Sequence, residues 1–197
     1  MNDLFELLVA WDQSLFQVAN GTFSNPLFDL LCPFLREKWF WAPLYLFVLA
    51  FSLLNFGGRG WLIILGLIVS VGSADFVSSR VLKKSIQRLR PCNDAEMAEK
   101  TTLRVSCGSG YSFTSSHAAN HFAAAVFLIG IFGASVGWLR PTLLIWAGAI
   151  SFSQVYVGVH YPADVVCGGL LGAAIGWWAV RAFRMFGGLK MTMPAVR

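Results

Sequence analysis

Arg80, Lys83, Lys84, Arg88 and Arg90 place five cations and no carboxylate within the segment 80–90. Such a run suits either a basic flank facing lipid headgroups or an anion site, with lysine as a point charge and arginine as a two-pronged fork. A second segment, Tyr111-Ser112-Phe113-Thr114-Ser115-Ser116-His117, runs into an apolar stretch. Small hydroxyl residues at a helix start cap the first turn, and the free N–H groups there also attract anions. The third segment is Ser153-Gln154-Val155-Tyr156-Val157-Gly158-Val159-His160-Tyr161-Pro162-Ala163-Asp164. Pro162 suits the first position of a helix, which sets His160 just before that helix and Asp164 in its first turn. A carboxylate so placed can accept an imidazole N–H, fix the tautomer and leave the other ring nitrogen free to act as a nucleophile. Two of the chain's three histidines, His117 and His160, fall in these two segments, and the third, His121, lies four residues past the first.

The elements that must hold these residues follow from composition. The chain of 197 residues is 56% hydrophobic and 15% aromatic, and its mean hydropathy is +0.63. Only 13% of its residues are charged, against roughly 25% in soluble domains. That excludes a disordered chain, a disulfide-dense miniprotein and an ordinary soluble enzyme, and leaves an integral membrane protein. The expected fold is all-α: a polytopic helical bundle of about five transmembrane helices with an N-terminal amphipathic or interfacial helix. The five apolar runs are 39–56, 61–82, 118–139, 141–159 and 162–180, each near the length a span needs. Arg140-Pro141 reads as the short link between the third and fourth runs. In segment 1–35, Leu4, Leu7, Leu8, Trp11, Leu15 and Val18 recur at helical spacing, interrupted by Asp3, Glu6 and Asp12. That pattern predicts a helix at the interface or packed on the bundle, followed by a short element over 25–34. The acidic start argues against a cleavable signal peptide, and segment 185–197 reads as a flexible tail. No internal repeat or linker divides the chain, so 1–197 reads as one domain.

Five spans set the loop after the second run and the loop after the fourth on the same side. The basic cluster, His117 and His160 can therefore converge at one membrane face. The opposite side carries Arg59, Arg140, Arg181, Arg184, Lys190 and Arg197 and no acid. With the 80–90 cluster set aside as a site, the positive-inside rule puts that basic side in the cytoplasm. The surplus of +5 then belongs to a phosphate site and a cytoplasmic rim, with no nucleic-acid surface.

Lys83-x6-Arg90-Pro91, Thr114-Ser115-Ser116-His117 and Ser153-Gln154-x5-His160-x3-Asp164 resemble, in order and spacing, the three signature motifs of the type 2 phosphatidic acid phosphatase (lipid phosphate phosphatase) family. The resemblance covers roughly residues 60–180. It implies a metal-free hydrolase with no cofactor, in which His160 attacks phosphorus to form a phosphohistidine, Asp164 orients it, and His117 protonates the leaving oxygen and then activates water. It also implies that Lys83, Arg90, Ser115 and Ser116 hold the phosphoryl oxygens. Two positions depart from the pattern: Thr114 and Ser116 stand where the second motif has proline and glycine, and Gln154 stands where the third has arginine. Gln154 can still donate one hydrogen bond, and Arg88 or Lys84 are the candidates to restore the lost charge.

A zinc site is the chemical rival, since His117 and His121 are one turn apart and His160 with Asp164 would complete four ligands. The neighbouring cations disfavour it, leaving His121 as a supporting or core residue. A lipid-headgroup-binding protein or transporter is the non-catalytic rival. Asp75 is an acid within a span, open to a functional role or to pairing with Arg80 or Asn120. Gly168, Gly172 and Gly176 form a small-residue ladder for close helix approach. Cys32 and Cys167 read as apolar fillers, whereas Cys92 and Cys107 bracket the loop between the first two motifs and can close it as a disulfide if that face is periplasmic. The expected partners are membrane lipids and a lipid phosphate substrate: undecaprenyl diphosphate, phosphatidylglycerol phosphate, phosphatidic acid or a lipid A phosphate. The expected location is a bacterial inner membrane with the site facing the periplasm.

Overall fold

The computed structural model describes residues 2–187, and every described secondary-structure element is helical. In chain order the helices are α1 (Asn2–Gln17), α2 (Pro26–Leu35), α3 (Ala42–Phe56), α4 (Gly58–Phe76), the one-turn α5 (Lys83–Ile86), α6 (Ser116–Phe132), α7 (Leu139–Tyr156) and α8 (Pro162–Gly187). The segment Val77–Leu82 continues α4 into α5 as a wider helical turn. Two stretches, Gly58–Asn93 and Pro162–Phe186, are long and apolar enough to cross a membrane, and α3 and α6 are shorter apolar helices. Residues 188–197, most of the expected flexible tail, lie outside the described residues, and α8 occupies 185–187.

The bundle is organised around the contact of α6 with α8. Along α8, Gly168 lies against Ser115 just before α6, and Gly172 and Gly176 lie against Ala119 and Ala123 within it. A Cβ on Gly172 would fall 2.0 Å from the Ala119 carbonyl oxygen, so the two backbones touch where any side chain would part them. Between helices in lipid, this close approach supplies attraction that water exclusion cannot. The ladder therefore serves the interior of the bundle. On the other side of α6, α4 approaches closely enough that Ser70 Oγ reaches the Ala123 carbonyl at 3.4 Å. Ile63, Phe127, Leu128, Phe132, Leu143 and Val180 fill the end of the bundle away from the histidines.

The link between α6 and α7 differs from the expected Arg140-Pro141. It is the segment 133–138, because α6 stops at Gly133 and Pro141 lies in the first turn of α7, where its missing N–H costs nothing. The N-terminal helix also departs from a simple amphipathic reading. Leu4, Leu7, Leu8, Trp11 and Leu15 point outward, while Asp12 and Phe16 are buried against the bundle. Lipid is the outer solvent, so the apolar stripe faces out and the polar one faces in.

The chain beyond α1 is stapled to the loop that joins α5 to α6. Asn20, fully buried, donates to the carbonyls of Thr102 (2.9 Å) and Tyr156 (2.7 Å) and accepts from the Thr102 N–H at 2.8 Å. Arg104 donates to the Asn20 and Tyr156 carbonyls, Ser24 Oγ and the Asp29 carboxylate, with its guanidinium 4.1 Å above the Tyr156 ring. A sulfur–sulfur bond joins Cys92 to Cys107 across the same loop, with Cα atoms 6.1 Å apart. These ties hold the loop over one end of the bundle, where the polar residues gather.

Candidate active site

The site is built at the junction of α5, the N-terminus of α6 and the turn between α7 and α8. α7 ends at Tyr156, and the Gln154 carbonyl accepts from the N–H groups of both Val159 and His160 (3.2 Å each), which closes the turn that presents His160. Gly158 makes that turn possible. Its φ is +89°, and a Cβ there would lie 2.8 Å from Thr101 Cγ2, so only glycine fits without strain. Pro162 opens α8 and Asp164 occupies its first turn, as the spacing predicts.

Asp164 is fully buried and its two oxygens are separately engaged. Oδ1 accepts from Arg88 Nη1 at 3.0 Å, and Oδ2 accepts from the Tyr161 N–H at 2.8 Å. His160 Nδ1 stands 3.5 Å from Oδ2, a facing contact longer than a tight hydrogen bond. With Nδ1 directed at the carboxylate, Nε2 is the ring nitrogen available for chemistry. Burial lowers the His160 pKa to about 4 against the upward pull of Asp164, so the imidazole is neutral at pH 7. The Asp164 carbonyl accepts from the Ser115 N–H at 3.0 Å, which welds the start of α6 to the start of α8.

Ser115 caps α6, its Oγ accepting from the Ala118 N–H at 3.4 Å, while the Thr114 hydroxyl is buried without a partner. Ser116 Oγ is 3.1 Å from Ser78 Oγ. In the first turn of α6 the Ala118 N–H is taken by Ser115 Oγ and the Ala119 N–H by the Ser115 carbonyl, which leaves the N–H groups of Ser116 and His117 without a carbonyl behind them. His121 directs Nδ1 to the His117 carbonyl at 2.8 Å and lays its ring edge-on to Trp146, with centroids 5.0 Å apart. Its Nε2 is buried without a partner.

The cations converge from several directions. The charge of Lys83 acts on both His117 and His160, and that of Arg90 acts on His160. Arg90 is aimed by the loop, with Nε donating to the Gly110 carbonyl at 2.9 Å. Lys84 and Arg80 are exposed. Asp75 pairs with Asn120, whose Nδ2 donates to Oδ1 at 3.0 Å, in place of Arg80.

Arg88 corrects the sequence reading. It was a candidate to replace the guanidinium missing at Gln154, yet its two arms are taken by Asp164 and by Asp12, whose Oδ2 lies 2.6 Å from Nη2. Its guanidinium also rests 3.9 Å over the Tyr161 ring. Two carboxylates and an aromatic face hold it more favourably than an open phosphate site would. Gln154 is fully buried, with neither amide atom bonded within the protein.

Two residues of the site escaped the sequence reading. Asp12 of α1 accepts from Arg88 and also from the Ala163 N–H at 2.7 Å, so it caps α8 from 151 positions away in sequence. The available signal was an acid inside an otherwise apolar segment. Arg36, at the end of α2, brings its charge to bear on Arg90 and His117. In sequence it reads as the flank of the next apolar run.

This all-helical bundle thus brings a neutral histidine, a buried carboxylate behind it, and lysine and arginine side chains together at one end. The PAP2 superfamily profile matches residues 61–187, and the chain belongs to that superfamily. It is 33% identical over 147 residues to the lipid A 4'-phosphatase of Bacteroides thetaiotaomicron, covering 73% of this chain and 64% of that relative's length. Its fold matches a crystal structure described as the first transmembrane PAP2 type phosphatidylglycerolphosphate phosphatase, from Bacillus subtilis. That match has a TM-score of 0.70 at 21% identity, over 91% of this chain and 87% of the other. Aquifex aeolicus LpxE matches with a TM-score of 0.63 at 25% identity, over 85% and 93% of the two chains.

Proposed function

We propose that the protein is a lipid phosphate phosphatase that works through a phosphohistidine on His160. The observation that carries this reading is the turn before α8. A neutral imidazole there faces a fully buried carboxylate through Nδ1, beside the open first turn of α6 and within reach of two cations. His160 Nε2 attacks phosphorus as the bond to the leaving oxygen breaks. The departing electron pair stays on that oxygen, which takes a proton from His117. Water, losing its proton to His117, then attacks phosphorus and breaks the P–N bond, releasing phosphate and restoring neutral His160. Lys83, Arg90, the Ser115–Ser116 turn and the Gln154 amide stabilise the phosphoryl oxygens as charge shifts. Asp164 orients the nucleophile, and Arg88 and Asp12 hold Asp164.

In this reading α3, α4, α6, α7 and α8 are the five spans, with the site on the periplasmic face of a bacterial inner membrane. The Cys92–Cys107 bond on the site's side supports an oxidising compartment. The name of the Bacteroides relative favours a lipid A phosphate among the candidate substrates.

The test is phosphate release by the purified protein from lipid A, phosphatidic acid, phosphatidylglycerol phosphate and undecaprenyl diphosphate, with EDTA present. Release from at least one lipid, lost in His160→Ala, is the expected result. Activity abolished by EDTA would overturn the metal-free mechanism. Activity retained in the variant would overturn the nucleophile, and binding without turnover on any lipid would favour a headgroup-binding protein.

A further inference from the structure

Arg36 differs from the other arginines gathered at this end of the bundle. Arg88 is held by two carboxylates, Arg104 by a carboxylate, a hydroxyl and carbonyls, and Arg90 by the Gly110 carbonyl. Among the described residues the Arg36 side chain makes no hydrogen bond and no ion pair, although its Nε is buried. The only acid beside it in sequence, Glu37, is exposed. A guanidinium Nε buried without an acceptor is unfavourable, and an anion at this position would relieve it.

That position is fixed from both sides. Upstream, α2 is anchored on α7 by Phe28, edge-on to Phe152 and Tyr156, and by Cys32, buried with Tyr156 and Val159. Downstream, Trp41 Nε1 donates to the Leu35 carbonyl at 2.7 Å, and its ring meets Trp146 of α7 at 5.5 Å. Trp146 in turn packs on His121, one turn beyond His117. The end of α2 is thereby clamped beside the histidine helix, where the Arg36 charge reaches both His117 and Arg90. Lys83, Arg90 and Arg36 thus share one neighbourhood whose buried acid, Asp164, is already spent on Arg88 and the Tyr161 N–H. A phosphoryl group would relieve their mutual repulsion.

We propose that Arg36 is a phosphate-binding residue, delivering from α2 a guanidinium fork to the site where position 154 offers only an amide. This rests on reading the site as a phosphatase. It makes the N-terminal segment, outside the three motifs, part of the substrate site.

The experiment compares wild type, Arg36→Lys, Arg36→Gln, Arg36→Ala and Lys38→Ala in phosphate release and in inhibition by orthovanadate, a phosphoryl-transfer mimic. Lys38 is exposed and sits over the Trp39 ring, so its variant is the control. Losing one charge-assisted contact lowers kcat/KM and raises the vanadate inhibition constant by about 10- to 100-fold each in Arg36→Gln and Arg36→Ala. Arg36→Lys recovers part of both, and Lys38→Ala stays within about twofold of wild type. If Arg36→Ala does not fold, the glutamine and lysine variants carry the comparison. A vanadate constant within twofold of wild type in Arg36→Gln overturns the assignment even if turnover falls, because a residue that merely props up α2 would give that pattern. If wild type releases phosphate from no lipid, the phosphatase reading itself has failed. Orthophosphate binding by calorimetry then decides Arg36: equal affinity in wild type and Arg36→Gln overturns it.

Discussion

Replacing Arg88 by alanine should act through Asp164 and leave phosphate affinity almost untouched. The side chain of Asp164 is 0% exposed, that of Asp12 9% and that of Arg88 23%. Removing one partner of a buried ion pair costs roughly 3–5 kcal/mol, and the partial exposure of Arg88 reduces that to about 2–3 kcal/mol. At this chain length about 1 kcal/mol moves the melting temperature by about 2–4 °C, so Arg88→Ala should melt about 4–12 °C below wild type. Turnover should fall with it, because the carboxylate facing His160 Nδ1 loses one of its two anchors. Thermal melts in detergent for Arg88→Ala, Asp12→Ala and the double variant form a cycle. A coupling of about 1 kcal/mol or more is expected for directly bonded side chains. The vanadate inhibition constant should change by less than about threefold, well under the loss from removing a direct charged contact. Additive melts combined with a tenfold weaker vanadate constant would refute this reasoning and place Arg88 on the phosphate.

Three further outcomes are expected. Gly172→Ala should lower the melting temperature by several degrees, since its Cβ would meet the Ala119 carbonyl, while Gly72→Ala, with nothing within 4 Å, should be neutral or slightly stabilising; equal melts would contradict the close α6–α8 contact. Thiol titration of the denatured, non-reduced protein should find two reactive cysteines, Cys32 and Cys167, and reduction should expose four and lower stability by about 3 kcal/mol for a loop of this length. Four thiols before reduction would remove the disulfide. For His160, the unfolded chain takes up a proton near 6.5 and the folded chain only near 4, so stability held above pH 6.5 should fall as pH drops through that window, by roughly 3 kcal/mol in all. His160→Asn should flatten that slope in melts across the range, and an unchanged slope would sink the assignment.

Much of the site was legible because its parts are local. Pro162 before Asp164, Ser115 ahead of His117, and a histidine four residues before an acid are short-range patterns with direct physical readings. The glycine ladder on α8 was legible for the same reason, and so was the pairing open to Cys92 and Cys107. What stayed hidden depends on contacts between distant segments. Arg88 reads as one more free cation until Asp12, 76 residues away, is brought beside it. Arg36 reads as the flank of a hydrophobic run until α2 folds back on α7. The α6–α7 link was misplaced because proline can sit in a first helical turn as comfortably as in a loop, and the helix instead stops at Gly133. The outward apolar face of α1 follows from a solvent that is itself apolar, which inverts the usual reading of an amphipathic stripe.

The phosphohistidine is the central claim, and trapping it is the most direct measurement. Turnover of a radiolabelled lipid phosphate, quenched within a single cycle, should leave wild type carrying phosphate that is labile in acid and stable in base. Peptide mapping should place it on His160, and His160→Ala should carry none. Label mapped to any other residue, or persisting in His160→Ala, would contradict the account.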